Sequence, residues 1–223
     1  MKDLYHKYKH AWVFSYFILY IVWFYILERT VVTDYYPIYT KLDDYIPFNE
    51  WFVIPYVLWF GYIFITIAFL FFNSKDEFYK CCAFLFIGMT ICLIIYTIWP
   101  NGQNLRPDLS TLGRDNIFVR MVNLIYTQDT STNVFPSIHV FNSIGAHIAI
   151  SRNKTLRSYK WIVPSSFVLM VLISLSTVFL KQHSVLDGFA SIALSIIMYI
   201  LVYGIADMKT KHEQKDNSLI LDK

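Results

Sequence analysis

The sequence has little charge for its length. Of its 223 residues, only 16% are Asp, Glu, Lys or Arg, whereas soluble domains carry about 25%. Hydrophobic side chains make up 56% and aromatic side chains 19%. This composition excludes a water-soluble globular domain and predicts an integral membrane protein. The mean hydropathy is only +0.44 because the 17 Tyr and 6 Trp lower it, and both residue types suit the membrane–water interface.

Cysteine, glycine and proline are also scarce, with 3 Cys, 7 Gly and 7 Pro in the chain. Cys81, Cys82 and Cys92 lie in one apolar stretch, which excludes a disulfide framework and offers no partners for a zinc site. They are predicted to be packing residues. Because Gly and Pro are scattered evenly, the sequence has no linker or low-complexity tract, and residues 1–223 are predicted to form one domain.

Long apolar runs are abundant. The hydrocarbon core of a bilayer is about 30 Å thick and needs roughly 20 helical residues to cross it. Five runs meet this requirement, and a sixth is shorter and more polar. We therefore predict an all-α, polytopic bundle of six transmembrane helices, with interfacial helices in the outer loops. The predicted spans are about 11–27, 52–72, 81–99, 135–150, 161–179 and 185–203.

The few basic residues divide unequally between the two sides of this predicted bundle. With a cytoplasmic amino terminus, 13 of the 19 Lys and Arg residues fall in inner segments and 6 in outer segments. The positive-inside rule therefore predicts cytoplasmic termini. The formal net charge of +3 reflects these inner loops, so no nucleic-acid partner is expected.

Polar residues gather at one level of the predicted bundle. Ionisable side chains inside a bilayer are costly, so their positions are informative. Alternating helix direction brings one set of polar residues to the same depth on the periplasmic or extracellular side. These residues are Arg106, Ser137, His139, Ser176, Thr177, His183 and Asp187.

Two local patterns in this set suggest a reactive histidine and an anion-binding site. His183 and Asp187 are four residues apart, so they share a helix face and the carboxylate can accept a hydrogen bond from the imidazole. A structural ion pair would have the same spacing. Pro136 suits the first turn of a helix, where the amides of Ser137 and Ile138 are predicted to be unpaired and to bind an anion such as phosphate. An ordinary proline-started helix is the alternative.

These residues resemble the motifs of the type 2 phosphatidic acid phosphatase superfamily, a group of integral-membrane lipid phosphatases and phosphotransferases. The first family motif is Lys, six residues, then Arg-Pro, and this sequence has Arg106-Pro107. The second is Pro-Ser-Gly-His, which reads Pro-Ser-Ile-His at 136–139. The third is Ser-Arg, five residues, His, three residues, Asp, which reads Ser-Thr with His and Asp at the same spacing at 176–187.

The resemblance implies a role for each matching residue. His183 would be the nucleophile that becomes phosphohistidine, Asp187 would hold its ring, and His139 would protonate the leaving oxygen. No metal and no cofactor would be needed. The phosphate-binding candidates are Arg106, Ser137, Ile138 (through its amide), Thr177 and Lys181.

Three positions depart from the family pattern. Trp99 stands where the family has Lys, Ile138 replaces Gly, and Thr177 replaces Arg. The pocket loses two cations, which suggests a reacting group that needs less positive charge than a phosphomonoester dianion, such as a diester or the inner phosphorus of a diphosphate. Alternatively, outer cations supply the charge; the candidates are Lys181, Arg114 and Arg120.

The leading functional hypothesis is a lipid phosphate or diphosphate phosphatase that works through phosphohistidine at the outer side of the membrane. Its second motif is closest to the inositol phosphorylceramide synthase branch, so a lipid head-group phosphotransferase of the inositol phosphorylceramide or sphingomyelin synthase kind is one alternative. A non-catalytic protein that binds or transports phosphate lipids is another. A third assigns His139, His183 and Asp187 to a facial metal site, which their ligand types would allow.

Overall fold

The computed structural model describes residues 6–205 and Asp207, and the chain is mostly helical. The helices, in chain order, are α1 (Tyr16–Thr30), α2 (Leu42–Tyr45), α3 (Val53–Asn73), α4 (Lys75–Ile98), α5 (Ile117–Gln128), α6 (Ile138–Arg152), α7 (Lys154–Ser158), α8 (Ile162–Phe179) and α9 (Val185–Tyr199). Shorter 3-10 segments are Lys9–Ser15, Glu50–Phe52 and Leu109–Leu112, and a π-helical turn, Ile200–Gly204, follows α9.

Five helical stretches of the described residues are long and apolar enough to cross a membrane. They correspond to five of the six predicted spans: His6–Thr30, Glu50–Asn73, Lys75–Ile98, Ile162–Phe179 and Val185–Gly204. The remaining prediction, span 135–150, falls on α6, which begins only at Ile138 and has 15 residues. At 1.5 Å per residue α6 is about 22 Å long, shorter than the hydrocarbon core. The number of six crossings therefore stays a prediction.

Helix α6 lies in the middle of the bundle, where it packs against α3, α4, α8 and α9. Its contact with α4 is unusually close because each helix presents a glycine to an aromatic ring of the other. A Cβ atom on Gly88 would lie 2.0 Å from the Phe141 ring, and one on Gly145 would lie 2.7 Å from the Phe84 ring. The rings of Phe84 and Phe141 stack with their centroids 5.0 Å apart. This packing fixes the position of α6 along α4.

The connections at the predicted outer side are tied together by short pairings. Strand β1 (Tyr36–Pro37) runs parallel to β2 (Asn101–Gly102). The Asn101 side chain accepts hydrogen bonds from the amides of Val134 (2.9 Å) and Phe135 (2.8 Å). The segment before α6 is therefore held against the segment after α4.

Helix α5 lies in the long loop where hydrophobic periodicity predicts a short helix. Asn116 caps its start, because its side-chain oxygen accepts from the amides of Phe118 and Val119 at 3.0 Å each. The buried Val122 packs in one cluster with Val53 at the start of α3. The helix exists as predicted, while its position at a membrane interface stays a prediction.

The three cysteines, Cys81, Cys82 and Cys92, are free and buried. All lie in α4 within the main hydrophobic cluster. This placement agrees with the packing role predicted from the sequence.

Candidate active site

The turn between α8 and α9 carries His183 and is fixed by hydrogen bonds to the last turn of α8. The carbonyl of Thr177, in the last turn of α8, accepts hydrogen bonds from the amides of Gln182 (2.9 Å) and His183 (3.0 Å). Lys181 adopts a φ of 54°, a left-handed conformation that few non-glycine residues adopt. The turn therefore directs His183 back into the bundle, where the side chain is almost fully buried.

His183 and Asp187 form the pair predicted from their spacing. Nδ1 of His183 lies 3.0 Å from Oδ2 of Asp187, and this oxygen also accepts from the Ser184 amide at 2.9 Å. Because an ionised carboxylate only accepts hydrogen bonds, we assign the ring proton to Nδ1, which leaves Nε2 for chemistry. Burial lowers the pKa of His183 to about 3; the Val134 carbonyl opposes this shift and Arg106 adds to it. The ring is therefore neutral at physiological pH.

His139, the second residue of α6, faces His183. The two ring centroids are 5.9 Å apart and the rings are inclined by 63°. Tyr56 and Trp59 of α3 pack on His139, with centroid distances of 4.7 and 4.5 Å. Both histidines are thus close enough to contact one phosphoryl group placed between them.

A cavity of about 480 Å³ opens beside the two histidines. Its wall is strongly aromatic and includes Tyr20, Phe24, Tyr56, Trp59, Phe60 and Tyr96. Phe60 and Val57 line the cavity and are also largely exposed on the apolar exterior of α3. The cavity therefore opens sideways, toward the surface that lipid would cover.

Arg106 lies near the site, but its guanidinium is held by the protein itself. Nη1 donates to the carbonyls of Asp129 (2.9 Å) and Tyr126 (3.3 Å). Nη2 donates to the carbonyl of Thr130 (2.7 Å) and to Oε1 of Gln182 (2.5 Å). The group also stacks over the Tyr126 ring at 4.5 Å. Arg106 is not among the residues that line the cavity, so both of its terminal nitrogens serve to fix the loop rather than to face the histidines.

Ser137 and Ile138 both lie at the start of α6, but the backbone N–H of Ser137 is hydrogen-bonded and, within the described residues, that of Ile138 is not. Ser137 is the N-cap: its Oγ accepts from the Val140 amide at 3.4 Å. Its own amide donates to the Asp187 carbonyl at 3.3 Å, so the expectation of an unpaired Ser137 amide was wrong. The Ile138 amide has no hydrogen-bond partner among the described residues, and Ile138 lines the cavity. It therefore remains available to an anion.

Thr177 and Lys181, the other two predicted phosphate ligands, have their side chains engaged elsewhere. Oγ1 of Thr177 donates to the Ser174 carbonyl at 2.8 Å. Nζ of Lys181 donates to the Asp43 carbonyl at 2.7 Å. Neither residue lines the cavity; both shape the turn that carries His183.

Arg114 and Arg120, the alternative sources of positive charge in the outer loop, are each paired with a carboxylate. Arg114 makes a two-pronged contact with Glu50, with both N–O distances 2.7 Å. Arg120 contacts Asp115 in the same way, at 2.9 and 2.8 Å. Trp99, at the family's Lys position, packs its ring on Tyr36. None of these three positions lies on the cavity.

The structure adds Asp43, which the sequence alone did not single out. It lies in α2 and is 2% exposed. Oδ2 accepts from the Ser184 hydroxyl at 2.7 Å, and Oδ1 accepts from the Val185 amide at 2.9 Å. Oδ2 also accepts from the Thr40 amide at 2.8 Å. Asp43 therefore holds the start of α9 directly behind His183 and Asp187.

Two further polar side chains at the cavity were also missed. Gln182 and Asn133 are 3% and 6% exposed, and both line the cavity. Nε2 of Gln182 and Oδ1 of Asn133 are buried without a hydrogen-bond partner. Buried polar atoms are rarely left unpaired, so these two atoms indicate positions where a ligand makes contact. The adjacency of Gln182 to His183 was a signal that the sequence offered.

The described residues contain no group of three or more His, Cys, Asp or Glu side chains that could hold a metal ion. His139 and the His183–Asp187 pair therefore do not form the facial metal site considered above.

Comparison with known proteins gives one family match. Residues 101–211 match the model of the PAP2 superfamily, a segment that contains Arg106-Pro107 of the first motif and the whole of the second and third motifs. No curated protein and no solved structure matches the chain. The match supports this superfamily and suggests phosphatase or phosphotransferase activity; it does not distinguish between branches.

Proposed function

We propose that the chain is a membrane enzyme of the PAP2 superfamily that transfers phosphoryl groups of lipid esters through a phosphohistidine at His183. The observation that carries the proposal is the neutral, buried His183, paired with Asp187 and facing His139 at a cavity open to the membrane. A binding or transport site has no use for both a nucleophile and an acid in this arrangement.

In the first half-reaction, Nε2 of His183 attacks phosphorus while the bond to the leaving oxygen breaks. Asp187 accepts the hydrogen bond from Nδ1 and stabilises the positive charge that develops on the ring. His139 delivers a proton to the leaving oxygen. Each residue thus acts at one defined atom.

The phosphoryl oxygens need donors that are in place before the reaction begins. The Ile138 amide at the start of α6 is one, and the helix dipole adds to its effect. Nε2 of Gln182 is a second, next to the nucleophile. Ser137 contributes by capping α6 and so fixing the direction of these amides.

In the second half-reaction, an oxygen nucleophile attacks the phosphohistidine and gives its proton to His139. Water yields a phosphatase, and a lipid hydroxyl yields a head-group phosphotransferase. The sideways opening of the cavity favours keeping the transferase as a second candidate, because a lipid alcohol in the membrane reaches the same site. The basic-residue distribution supports a site on the periplasmic or extracellular side.

The decisive test is to trap the intermediate. Purified protein incubated with a phosphorus-labelled lipid phosphate or diester, with a chelator present, should acquire an acid-labile and base-stable label. His183→Ala should abolish the label and lower turnover at least about a thousandfold. His147→Gln is the matched control, because His147 also lies in α6 but bonds Ser166 (3.0 Å) and does not line the cavity.

Full activity in His183→Ala would rule out the mechanism. Tight lipid binding without any label or turnover would favour the non-catalytic alternative, and loss of activity with chelator would require a metal.

A further inference from the structure

The cavity is short of positive charge. Among its lining residues there is no Lys or Arg, and the nearest cations, Arg106 and Lys181, are bound to protein oxygens. A phosphomonoester dianion would therefore enter without meeting a counter-charge. A phosphodiester, with a single negative charge, loses less by leaving water.

Neutral donors replace the cations at the phosphoryl position. Oε1 of Gln182 is fixed by Arg106 at 2.5 Å, so Nε2 on the other side of the amide is held toward the cavity as a donor. The Ile138 amide is the second donor. Arg106 thus acts through Gln182 as a positioning residue. Two neutral donors match the two non-bridging oxygens of a diester.

At its polar end the cavity has two hydrogen-bond acceptors without a donor among the described residues, Oδ1 of Asn133 and the carboxylate of Asp129. Glu28 is fully engaged, since it accepts from Thr130 (2.6 and 3.0 Å) and from Nδ2 of Asn133 (2.7 Å). That contact leaves Oδ1 of Asn133 unpaired. Asp129 lines the same cavity and forms no ion pair within the described part of the chain.

Aromatic side chains line the same cavity as these acceptors. The Asp129 carboxylate interacts electrostatically with Tyr20 and Tyr56, which line the cavity from α1 and α3. A carboxylate and an amide oxygen beside aromatic faces suit a cation that donates hydrogen bonds. A quaternary ammonium has no N–H for Asn133, and a neutral hydroxyl brings no positive charge to the carboxylate.

Resting on the function proposed above, we propose that the substrate is a zwitterionic phosphodiester lipid whose head group ends in a primary ammonium held by Asp129 and Asn133. The phosphorus then lies between His139 and His183, and the lipid tail follows the apolar wall toward Phe60.

With such a substrate, every bond that forms in the transfer is matched by one that breaks, and the proton returns to its donor. The bond from Nε2 of His183 to phosphorus forms, the bond from phosphorus to the lipid oxygen breaks, and that oxygen takes the proton from His139. The ammonium-bearing half remains on phosphorus. Water or an alcohol then attacks phosphorus, the bond to His183 breaks, and the proton returns to His139. The products are a lipid alcohol and a phosphorylated amino alcohol or its new diester.

The proposal is tested by binding without turnover. Four dodecyl ligands, identical except at the head, are titrated calorimetrically against the full chain in detergent. They are analogues of the aminoethyl, trimethylammonioethyl and hydroxyethyl phosphodiesters and of the plain phosphate monoester, with a methylene group in place of the lipid-side ester oxygen so that the protein cannot turn them over. The aminoethyl diester should bind about tenfold more tightly than each of the others. Asp129→Asn should remove this preference, while Asp115→Asn, the same change in an exposed ion pair, should keep it.

The comparison of ligands on the unmutated protein needs no variant, so a folding defect does not obscure the outcome. Equal affinity for the three diesters, or tightest binding of the monoester, overturns the head-group proposal. Aminoethyl preference without any phosphohistidine supports the head-group proposal and overturns the proposed function. Phosphohistidine formation without head-group preference supports the proposed function and overturns the head-group proposal.

Discussion

Asp43 joins helix α2 to the segment that carries His183, the proposed nucleophile. It accepts three hydrogen bonds, two of them from Ser184 and Val185, and it is buried. Nothing in the sequence around Asp43 distinguishes it from a surface acid, because outer loops lack the periodicity that reveals buried positions. That His139, His183 and Asp187 lie together was predictable, because the i, i+4 spacing pairs two of them and the alternating helix direction brings the third to the same level. For Gln182 the sequence offered only its adjacency to His183, and for Asn133 it offered no signal, since the roles of both depend on which amide atoms their neighbours leave unpaired.

Asp43→Ala should lower turnover more than it weakens substrate binding. Three buried donors lose their acceptor, so stability should fall by about 2 kcal/mol or more. Because displacement of His183 affects the transition state most, kcat should drop about tenfold to a hundredfold with KM little changed. The neighbouring, exposed Asp44 provides the control, and Asp44→Ala should leave both constants unchanged. An equal rise in KM would contradict a positioning role.

Asp129 gives a pH-dependent contribution to stability. Burial, and then the carboxylate of Glu28, raise the pKa of Asp129 to about 7, while Arg106 opposes the shift; Tyr20 and Tyr56 face it as well. The folded chain therefore keeps a proton that the unfolded chain loses near pH 4. The free energy of unfolding should fall as pH rises from about 4 to about 7.

Asp129→Asn removes the ionisable group, so the variant should melt several degrees above the unmutated protein at pH 8 and near it at pH 4. Asp115→Asn, in an exposed ion pair, should show no such gain. Melting curves in detergent at the two pH values provide the measurement, and an equal shift at both would show that titration of Asp129 is not responsible.

At the scale of elements, α6 begins three residues later than its predicted span, at Ile138 instead of residue 135, for a physical reason. Its start is set by the Ser137 cap rather than by hydrophobicity, and its neighbours α3, α4, α8 and α9 bury it on several sides. The requirement of roughly 20 apolar residues, which applies to helices that face lipid, therefore does not describe α6. Four of the five other stretches, with a third or less of their apolar windows buried, follow the rule for lipid-exposed helices, and Lys75–Ile98 is apolar and long enough although 56% of its window is buried.

Gly88→Ala should test the close contact between α4 and α6. The new Cβ would meet the Phe141 ring, and overpacking of this kind costs about 1–3 kcal/mol. The melting temperature should fall by several degrees, with activity reduced as α6 and its His139 shift. Gly61→Ala is the control, since a Cβ there meets nothing within 4 Å and alanine favours a helix. Equal melting of the two variants would contradict the packing argument.

At the scale of the whole molecule, orientation rests on 13 inner and 6 outer basic residues. The three natural cysteines are buried, so single introduced cysteines report their own side of the membrane. Ser110→Cys should react with an impermeant maleimide on intact cells, and Lys154→Cys only after permeabilisation. Both positions are exposed. The opposite labelling pattern would place the histidines on the cytoplasmic side.

The sideways mouth of the cavity, at Val57 and Phe60, also determines which concentration the enzyme senses. A lipid that enters from the membrane arrives by diffusion in two dimensions, so turnover should follow its mole fraction in the bilayer rather than its amount per volume. Diluting the substrate with inert lipid at constant bulk concentration should therefore slow the reaction in proportion. A rate indifferent to this surface dilution would mean that substrate enters from water.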